Sequence, residues 1–441
     1  MTNKAEKRGL VPKLRFPEFR EAGGWESKSM GEVYSFKGNN SLSRDKLNYE
    51  SGSIKNIHYG DIHTKFSTLF DISKETVPYI NASESQESFK AENYCVEGDM
   101  VFADASEDLA DIGKCIEIVR LNGERVVSGL HTILARQSVA RLVIGFGGYL
   151  FKSHAIRKQI QKESQGAKVL GLSGGRFAKV TIPFPSDKTE QQKIADCLAS
   201  LDERITLEAQ KLDTHQTHKK GLMQQLFPAE GETLPKLRFL EFQEAGEWEE
   251  KPIGKIATLR NGFAFKSSTY IDNGCYKIIT IGNVQAGALL AEDAKTISEL
   301  PPDIQLHQQL QVGDILISMT GNVGRICRVD VENCLLNQRV GKLVLHGANK
   351  EFFYHSINND CFREAMQSRA AGGAQGNLSS SAIEEYILLI PQKNGEQQKI
   401  ADCLASLDDL ITAQTQKLAA LKTHKKGLMQ QLFPVLEERP A

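Results

Sequence analysis

EQQKIADCLASLDERITLEAQKLDTHQTHKKGLMQQLFP, residues 190–228, returns as EQQKIADCLASLDDLITAQTQKLAALKTHKKGLMQQLFP at residues 396–434. Thirty of the 39 positions are identical, at an offset of 206. Residues 190–226 contain no proline, and apolar residues recur at spacings of three and four, the period of a helix. One heptad row is Ile194, Leu201, Glu208, His215, Leu222; the other is Leu198, Ile205, Leu212, Lys219, Leu226. The second copy gives Ile400, Leu407, Gln414, Leu421, Leu428 and Leu404, Ile411, Leu418, Lys425, Leu432. A seam sustained over about five heptads predicts a coiled coil. Thr189 with Gln192 reads as a capping box. Pro228 and Pro434 stop the helices, because proline lacks an N–H and disfavours helix in the residue before it. Each helix spans roughly 37 residues and about 55 Å.

Polar residues at Glu208, His215, Gln414, Lys219 and Lys425 interrupt the seams, as residues that fix register and partner do. Gly221 and Gly427 each cost about 1 kcal/mol against alanine in a helix. Both copies keep this glycine, which predicts a close backbone approach or a bend. The two helices most simply pair with each other, antiparallel, making the chain pseudo-two-fold. The alternative is that each packs only on its own neighbouring domain.

A second repeat precedes each helix. PKLRFPEFREAGGWESKSMGEV at residues 12–33 returns as PKLRFLEFQEAGEWEEKPIGKI at 235–256, with 14 of 22 positions identical. Between the shared segments, residues 34–189 and 257–395 look unrelated. Similar frames with different contents suit one machine reading two different targets. The alternative is an old duplication whose middles drifted freely. Both contents read as mixed α/β. Residues 312–329, VGDILISMTGNVGRICRV, read as strand, turn, strand; residues 97–119, EGDMVFADASEDLADIGKCIEIV, follow the same order. Gly98-Asp99 aligns with Gly313-Asp314. Residues 351–368 and 148–165 read as helices, residues 370–381 and 166–176 as small-residue loops, and residues 386–390 and 180–182 as final strands. The predicted class is α/β (α+β). The boundaries are 1–188 and 229–394 for two recognition domains, and 189–228 and 395–441 for two helical spacers.

Composition excludes several classes. Forty per cent hydrophobic and 25% charged residues describe an ordinary globular chain. The net charge of −1 announces no nucleic-acid partner by itself, although cations can still cluster on one face. The eight cysteines form no CxxC pair and none stands at zinc-finger spacing to a histidine. The start MTNKAEKRGL has no apolar signal core, and the apolar stretch at 142–151 is too short and glycine-rich to span a bilayer. A reduced, soluble, cytoplasmic protein is expected. Walker A, Asn-Pro-Pro-aromatic, HExxH and GxSxG patterns are all absent, so no catalytic residue and no metal site is expected. His215, His218 and His424 read as seam or solvent residues, and Trp25 and Trp248 as packing residues.

PKLRFPEF…W, GDILISMTGNVGR, EQQKIADCLASLD and HKKGLMQQLFP together resemble the DNA specificity subunits of type I restriction-modification systems. Through the repeat layout the resemblance covers nearly the whole chain. It implies two target recognition domains, each reading one half of a split double-stranded DNA site. It also implies helical regions that set their spacing and bind two methyltransferase subunits, with restriction subunits joining them. S-adenosylmethionine, ATP and Mg²⁺ belong on those partners, and no cofactor on this chain. The first domain departs from the family at FADASEDLADIG, where a TG or SG turn is commoner.

Basic and amide side chains in the variable loops are the candidate DNA-binding residues, since Arg and Lys read guanine and Asn and Gln read adenine. They are Lys37, Arg44, Lys46, Asn56, His58, Tyr59, Lys168 and Arg176 in the first domain. In the second they are Arg260, Lys266, Asn283, Asn322, Arg325, Gln338, Arg339, Gln375 and Asn377. Two rival readings, a nuclease with an unseen carboxylate cluster and a coiled-coil adaptor without DNA, are separated by cleavage and gel-shift assays.

Overall fold

A computed structural model describes residues 10–84, 89–371 and 376–436. Two 39-residue helices, Lys188–Leu226 and Asn394–Leu432, stand where the repeats predicted them. Every residue of the predicted heptad rows is buried or half-buried. The start of the first helix differs from expectation. Asp187 accepts hydrogen bonds from the Thr189 N–H (2.8 Å) and Oγ1 (2.7 Å), so the aspartate caps and Thr189 lies in the first turn. Gly221 and Gly427 also correct the reading. A Cβ added at either meets no described atom within 4 Å, so no close approach requires them.

The chain forms two compact units, residues 1–210 with 416–441 and residues 211–415. Each unit holds one variable domain, the first part of one long helix and the last part of the other. Inside the first unit the helices run antiparallel: Lys425 pairs with Asp202, and Lys417 Nζ lies 2.8 Å from Glu208. Inside the second, Lys219 Nζ lies 2.5 Å from Asp408. The lysines that interrupt the seams are therefore the cross-helix partners. Glu208, with 1% side-chain exposure, also receives Arg204 Nε at 2.8 Å.

The two domains share a four-strand core order despite unlike sequences, and the first adds Leu69–Asp71 at its edge. In the first unit the strands run Tyr34–Lys37, Thr132–Gln137, Met100–Ala103, Cys115–Arg120, Leu69–Asp71 across one sheet. In the second they run Ala257–Asn261, Val340–Leu345, Ile315–Ser318, Ile326–Arg328. Each unit adds a smaller sheet built on a parallel pair, Lys55–Ile57 with Val126–Ser128 and Tyr276–Ile279 with Cys334–Leu336. Gly98 and Gly313 occupy one place in this scheme, with φ of +92° and +88° that favour glycine. The predicted helices 148–165 and 351–368 are each broken in two. Phe146–Leu150 and His154–Glu163 are separated at Ser153, whose extended backbone starts the second piece. Lys350–Ile357 and Asp360–Ala371 are separated at Asn358, and Asn359 accepts from the Phe362 N–H at 2.9 Å. The loop 166–176 contains a short strand, Leu170–Gly171, and a short helix, Gly174–Phe177.

Each domain is fastened to its helix by a buried glutamate. Glu190 accepts Arg15 Nε at 2.8 Å, Arg15 Nη2 at 2.6 Å and Trp25 Nε1 at 3.3 Å. Glu396 accepts Arg238 Nε at 2.7 Å, Arg238 Nη2 at 2.8 Å and Trp248 Nε1 at 3.2 Å. Both carboxylates are 1% exposed. The far end of the other helix closes the same core. Phe433 packs on Trp25 and Phe146 in the first unit, and Phe227 on Trp248 and Phe352 in the second. One position near this junction differs chemically. Tyr149 donates its hydroxyl to Asp202 at 2.9 Å. The corresponding His355 is fully buried, 3.7 Å from Asp408, with neither ring nitrogen hydrogen-bonded among the described residues.

Two expectations follow. Removing one partner of a buried pair strands the other, so Glu190→Ala or Glu396→Ala should lower stability by about 3–5 kcal/mol. Replacing both Arg15 and Glu190 with apolar residues should cost less. Denaturant midpoints of the three variants check this. His355 is one pH-sensitive site. Burial, with Lys219 and Arg328 nearby, holds its pKa down to about 3, against 6.5 unfolded. Its neutral form is favoured in the fold, so its contribution is complete above about pH 6.5 and falls away as pH drops toward 3, by up to about 1.4 kcal/mol per unit. Stability–pH curves of His355→Phe and the natural chain should therefore diverge only below about pH 6.5.

Candidate nucleic-acid interface

In the first domain the short helix Tyr59–Thr64 gathers three of the predicted residues. His58 caps it, its Nδ1 accepting from the Gly60 N–H at 3.1 Å. That bond needs Nδ1 unprotonated, and burial followed by the nearby Arg44 charge lowers the His58 pKa. Arg44 donates to Asp61 Oδ2 at 2.7 Å and to the Tyr49 hydroxyl at 3.2 Å. Lys65 Nζ lies 3.1 Å from Asp61 Oδ1. One buried carboxylate thus anchors two exposed cations, and its hydrogen bond raises the Arg44 pKa. The Tyr59 ring lies 4.7 Å from His58, 6.0 Å from His63 and 5.3 Å from His131. His131, at φ +55°, holds Nδ1 3.3 Å from Asp104 Oδ1. The strand Leu170–Gly171 pairs with Ala105–Ser106, which brings the loop carrying exposed Lys168 beside Asp104.

The other candidates of this domain are dispersed. Lys37 Nζ is 4.0 Å from Glu92, Lys46 Nζ is 2.9 Å from Glu84, and Arg176 Nη1 is 3.8 Å from Glu163. Asn56 is fully buried and accepts from Asn40 Nδ2 at 2.7 Å, which leaves it no face for a base.

In the second domain three loops meet. The Met319 N–H donates to the Arg339 carbonyl at 3.1 Å, and the Leu378 N–H to the Met319 carbonyl at 2.8 Å. Around this junction Asn322, Gln338, Arg339 and Asn377 are all exposed. The hairpin turn is closed by Ser318 Oγ, which donates to the Asn322 carbonyl and accepts from the Arg325 N–H at 3.0 Å. Half-buried Arg325 donates to Gln285. Arg260 is exposed on the strand Ala257–Asn261, and Lys266 is exposed on the following loop. The Gln338 N–H donates to the Phe263 carbonyl at 2.9 Å, which ties that loop to the same junction. Gln375 lies outside the described residues. Asn283 is buried. Its Oδ1 accepts from the Thr280 N–H (2.9 Å) and Oγ1 (2.7 Å), and its Nδ2 donates to the Leu290 carbonyl at 2.8 Å, so it builds the turn instead of facing a ligand.

Asp61, Lys65, His63, His131 and Asp104 were not singled out from the sequence. A positive-φ histidine and a buried aspartate carry no local signal. Among the described residues no group of three His, Cys, Asp or Glu side chains could hold a metal, and no helix is long and apolar enough to cross a membrane.

A model of the type I restriction modification DNA specificity domain matches residues 22–214 and again 245–423, well over half of the chain. The chain belongs to that family. Within a type I restriction-modification system it is a specificity subunit, the component that carries DNA sequence choice without catalysing a reaction. It is similar to the type I restriction enzyme MjaVIII specificity subunit of Methanocaldococcus jannaschii, 26% identical over 301 residues, 65% of this chain and 69% of that protein. The putative MjaX specificity subunit of the same organism is 23% identical over 431 residues, 93% of this chain and 92% of that protein. The fold is like that of the type I restriction-modification S subunit of M. genitalium, with a TM-score of 0.62 at 17% identity over 97% of this chain and all of that one.

Asn283→Ala should destabilise the second unit by about 1–3 kcal/mol, because it strands the Leu290 carbonyl and frees the turn. Thermal melts of this variant and of exposed Asn322→Ala, expected to be near neutral, check the division between structural and ligand-facing amides.

Proposed function

We propose that the two domains read two different half-sites of one asymmetric, bipartite double-stranded DNA site. The chain then presents that site to two methyltransferase subunits and to restriction subunits. The observation that carries this is the pairing of like with unlike: two domains of one core strand order, with different loop chemistry, fastened to near-identical helices. Arg44, Tyr59 and Lys168 contact DNA from the first domain, and Asn322, Gln338, Arg339 and Asn377 from the second. Arginine and amide side chains have the donor and acceptor geometry for guanine and adenine edges, and lysines position the phosphates. The long helices set an unread gap on the order of one helical turn or less. S-adenosylmethionine, ATP and Mg²⁺ bind on the partner subunits. The complex works in the cytoplasm, where its DNA lies.

The test has two arms. The full chain supplied with its methyltransferase and S-adenosylmethionine should modify a split, non-palindromic motif, and the chain alone should modify nothing. A fragment ending near Glu232 keeps one domain and one helix. In the first unit Asp202 receives Lys425, and Trp25 receives Phe433. A second fragment offers Lys219 and Phe227 at the same repeat positions. The fragment should therefore form a homodimer and, with the methyltransferase, direct modification to a palindromic split motif. Sequencing of modified DNA reads the motif, and a monomeric fragment or an unchanged motif overturns the reading.

A further inference from the structure

One backbone junction recurs in the two domains with different side chains on it. After the strand Met100–Ala103, the Ala103 N–H donates to the Lys114 carbonyl at 2.8 Å, the Asp104 N–H to the His131 carbonyl at 3.0 Å, and the Leu172 N–H to the Asp104 carbonyl at 2.8 Å. After Ile315–Ser318, the Ser318 N–H donates to the Arg325 carbonyl at 3.0 Å, the Met319 N–H to the Arg339 carbonyl at 3.1 Å, and the Leu378 N–H to the Met319 carbonyl at 2.8 Å. Asp104 thus stands where the second domain has Met319, and His131 where it has Arg339.

Backbone hydrogen bonds hold both junctions, so the fold does not call for a carboxylate at Asp104. Met319 fills the same place as a buried apolar side chain. The Asp104 side chain is instead 27% exposed, and that of His131 51%. An ion pair this open to water adds little to stability. His131 also keeps a left-handed φ of +55°, which a histidine adopts at a cost. Its Nδ1 lies 3.3 Å from Asp104 Oδ1. Oδ2 has no hydrogen-bond partner among the described residues, and partial burial raises the carboxyl pKa even against the nearby histidine. The carboxylate is therefore short of donors. Its surroundings belong to the candidate interface: the Tyr59 ring lies 5.3 Å from that of His131, and the strand Leu170–Gly171 brings the loop of exposed Lys168 beside it.

Duplex DNA offers a carboxylate few ligands. Phosphates repel it, and the guanine and thymine edges in the major groove carry no donor. The donors there are the cytosine N4 and adenine N6 amino groups, so a carboxylate on a DNA-facing surface reads a base and does not hold the backbone. We propose that Asp104, with His131 as its positioning residue, accepts a hydrogen bond from the amino group of one cytosine or adenine in the half-site of the first domain. Arg339 brings donors to the equivalent place in the second domain, where guanine is the complementary edge. The junction is thus the point at which one frame exchanges an acceptor for donors. This rests on the function proposed above.

The test uses the full chain with the methyltransferase of its system and S-adenosylmethionine, read by sequencing of modified DNA. Asp104→Ala should lower the base preference at one position of the first half-site by about tenfold or more, the usual cost of one lost base contact, and leave the second half-site unchanged. His131→Ala should relax the same position and no other. Asp104→Asn separates the two bases. Asparagine pairs bidentately with adenine, so a cytosine position should turn toward adenine and an adenine position should stay adenine. Synthetic duplexes probe the contact itself. Each cytosine or adenine of the half-site is replaced in turn by an analogue without the amino group. One replacement should weaken binding of the natural complex about tenfold and that of the Asp104→Ala complex hardly at all. If no replacement weakens the natural complex, or if natural and variant complexes lose equally, the assignment of Asp104 is overturned and the reading of DNA stands. If the natural chain and its methyltransferase modify no fixed motif, both fall.

Discussion

The structure depends on a carboxylate removed from water at the start of each long helix. Glu190 and Glu396 could not be buried alone, since an unpaired charge in the interior costs several kcal/mol. An arginine and an indole N–H from the preceding shared segment meet each one. That single contact joins three things: the entry segment, the helix start and the core of the variable domain, through Trp25 on Phe146 and Trp248 on Phe352. The entry segment also binds the tail of the other helix. The Leu14 N–H donates to the Gln431 carbonyl, and the Leu237 N–H to the Gln225 carbonyl, both at 2.9 Å. The clasp is ionic and directional, so it fixes geometry in a way an apolar patch would not.

The exchange of helix ends follows from where the charges lie along the seam. An uninterrupted leucine seam would tolerate parallel pairing and shifted registers. Lys219 and Lys425 stand near the ends of the helices and Asp202 and Asp408 near the starts, so they meet only when start lies against end. Glu208 with Lys417 adds a further constraint nearer the middle. The near-identity of the two helices makes the same kind of pair available in each unit, Lys425 with Asp202 in the first and Lys219 with Asp408 in the second.

Much of this was legible in the sequence, for reasons that also explain what was not. Helix spans, seams and stops are local patterns of period and proline, and they appear where the repeats place them. The capping residue was misplaced by two positions, because Asp187 takes the Thr189 N–H that the Gln192 side chain of a Thr189 box would have used. Gly221 and Gly427 had suggested a close approach or a bend, and the space around them is open, which removes the first. The clasp was invisible: Arg15 and Glu190 are 175 residues apart, and neither type is unusual on a surface. The same distance problem limits the candidate interface. Arg44, His58 and Tyr59 converge because a short helix follows a strand, whereas Asn56 is buried on a strand with its Oδ1 accepting from Asn40, and Asn283 is spent closing its own turn. Burial and the folded neighbours decide which amide is free, and one sequence does not state them.

Two unlike domain sequences fit the same frame in part because the frame also holds them by backbone. Gln191 accepts from the Val143 N–H at 2.8 Å and donates to the Pro185 carbonyl at 2.7 Å. Gln397 accepts from the Asn349 N–H at 2.9 Å and donates to the Pro391 carbonyl at 3.2 Å. The Met30 N–H reaches the Val180 carbonyl at 2.7 Å, and the Ile253 N–H the Tyr386 carbonyl at 2.9 Å. Peptide groups are common to every sequence, so these particular contacts ask nothing of side-chain identity, and the rest of the junction asks for apolar residues, among them a phenylalanine under each tryptophan. Where Tyr149 meets Asp202 and His355 lies near Asp408, tyrosine and histidine are both accommodated. The loops on the far strands are thereby released from any structural duty to the frame. Asn322, Gln338 and Arg339 can differ from their counterparts without disturbing a helix or a clasp, and this freedom is what the proposed reading of two different half-sites requires.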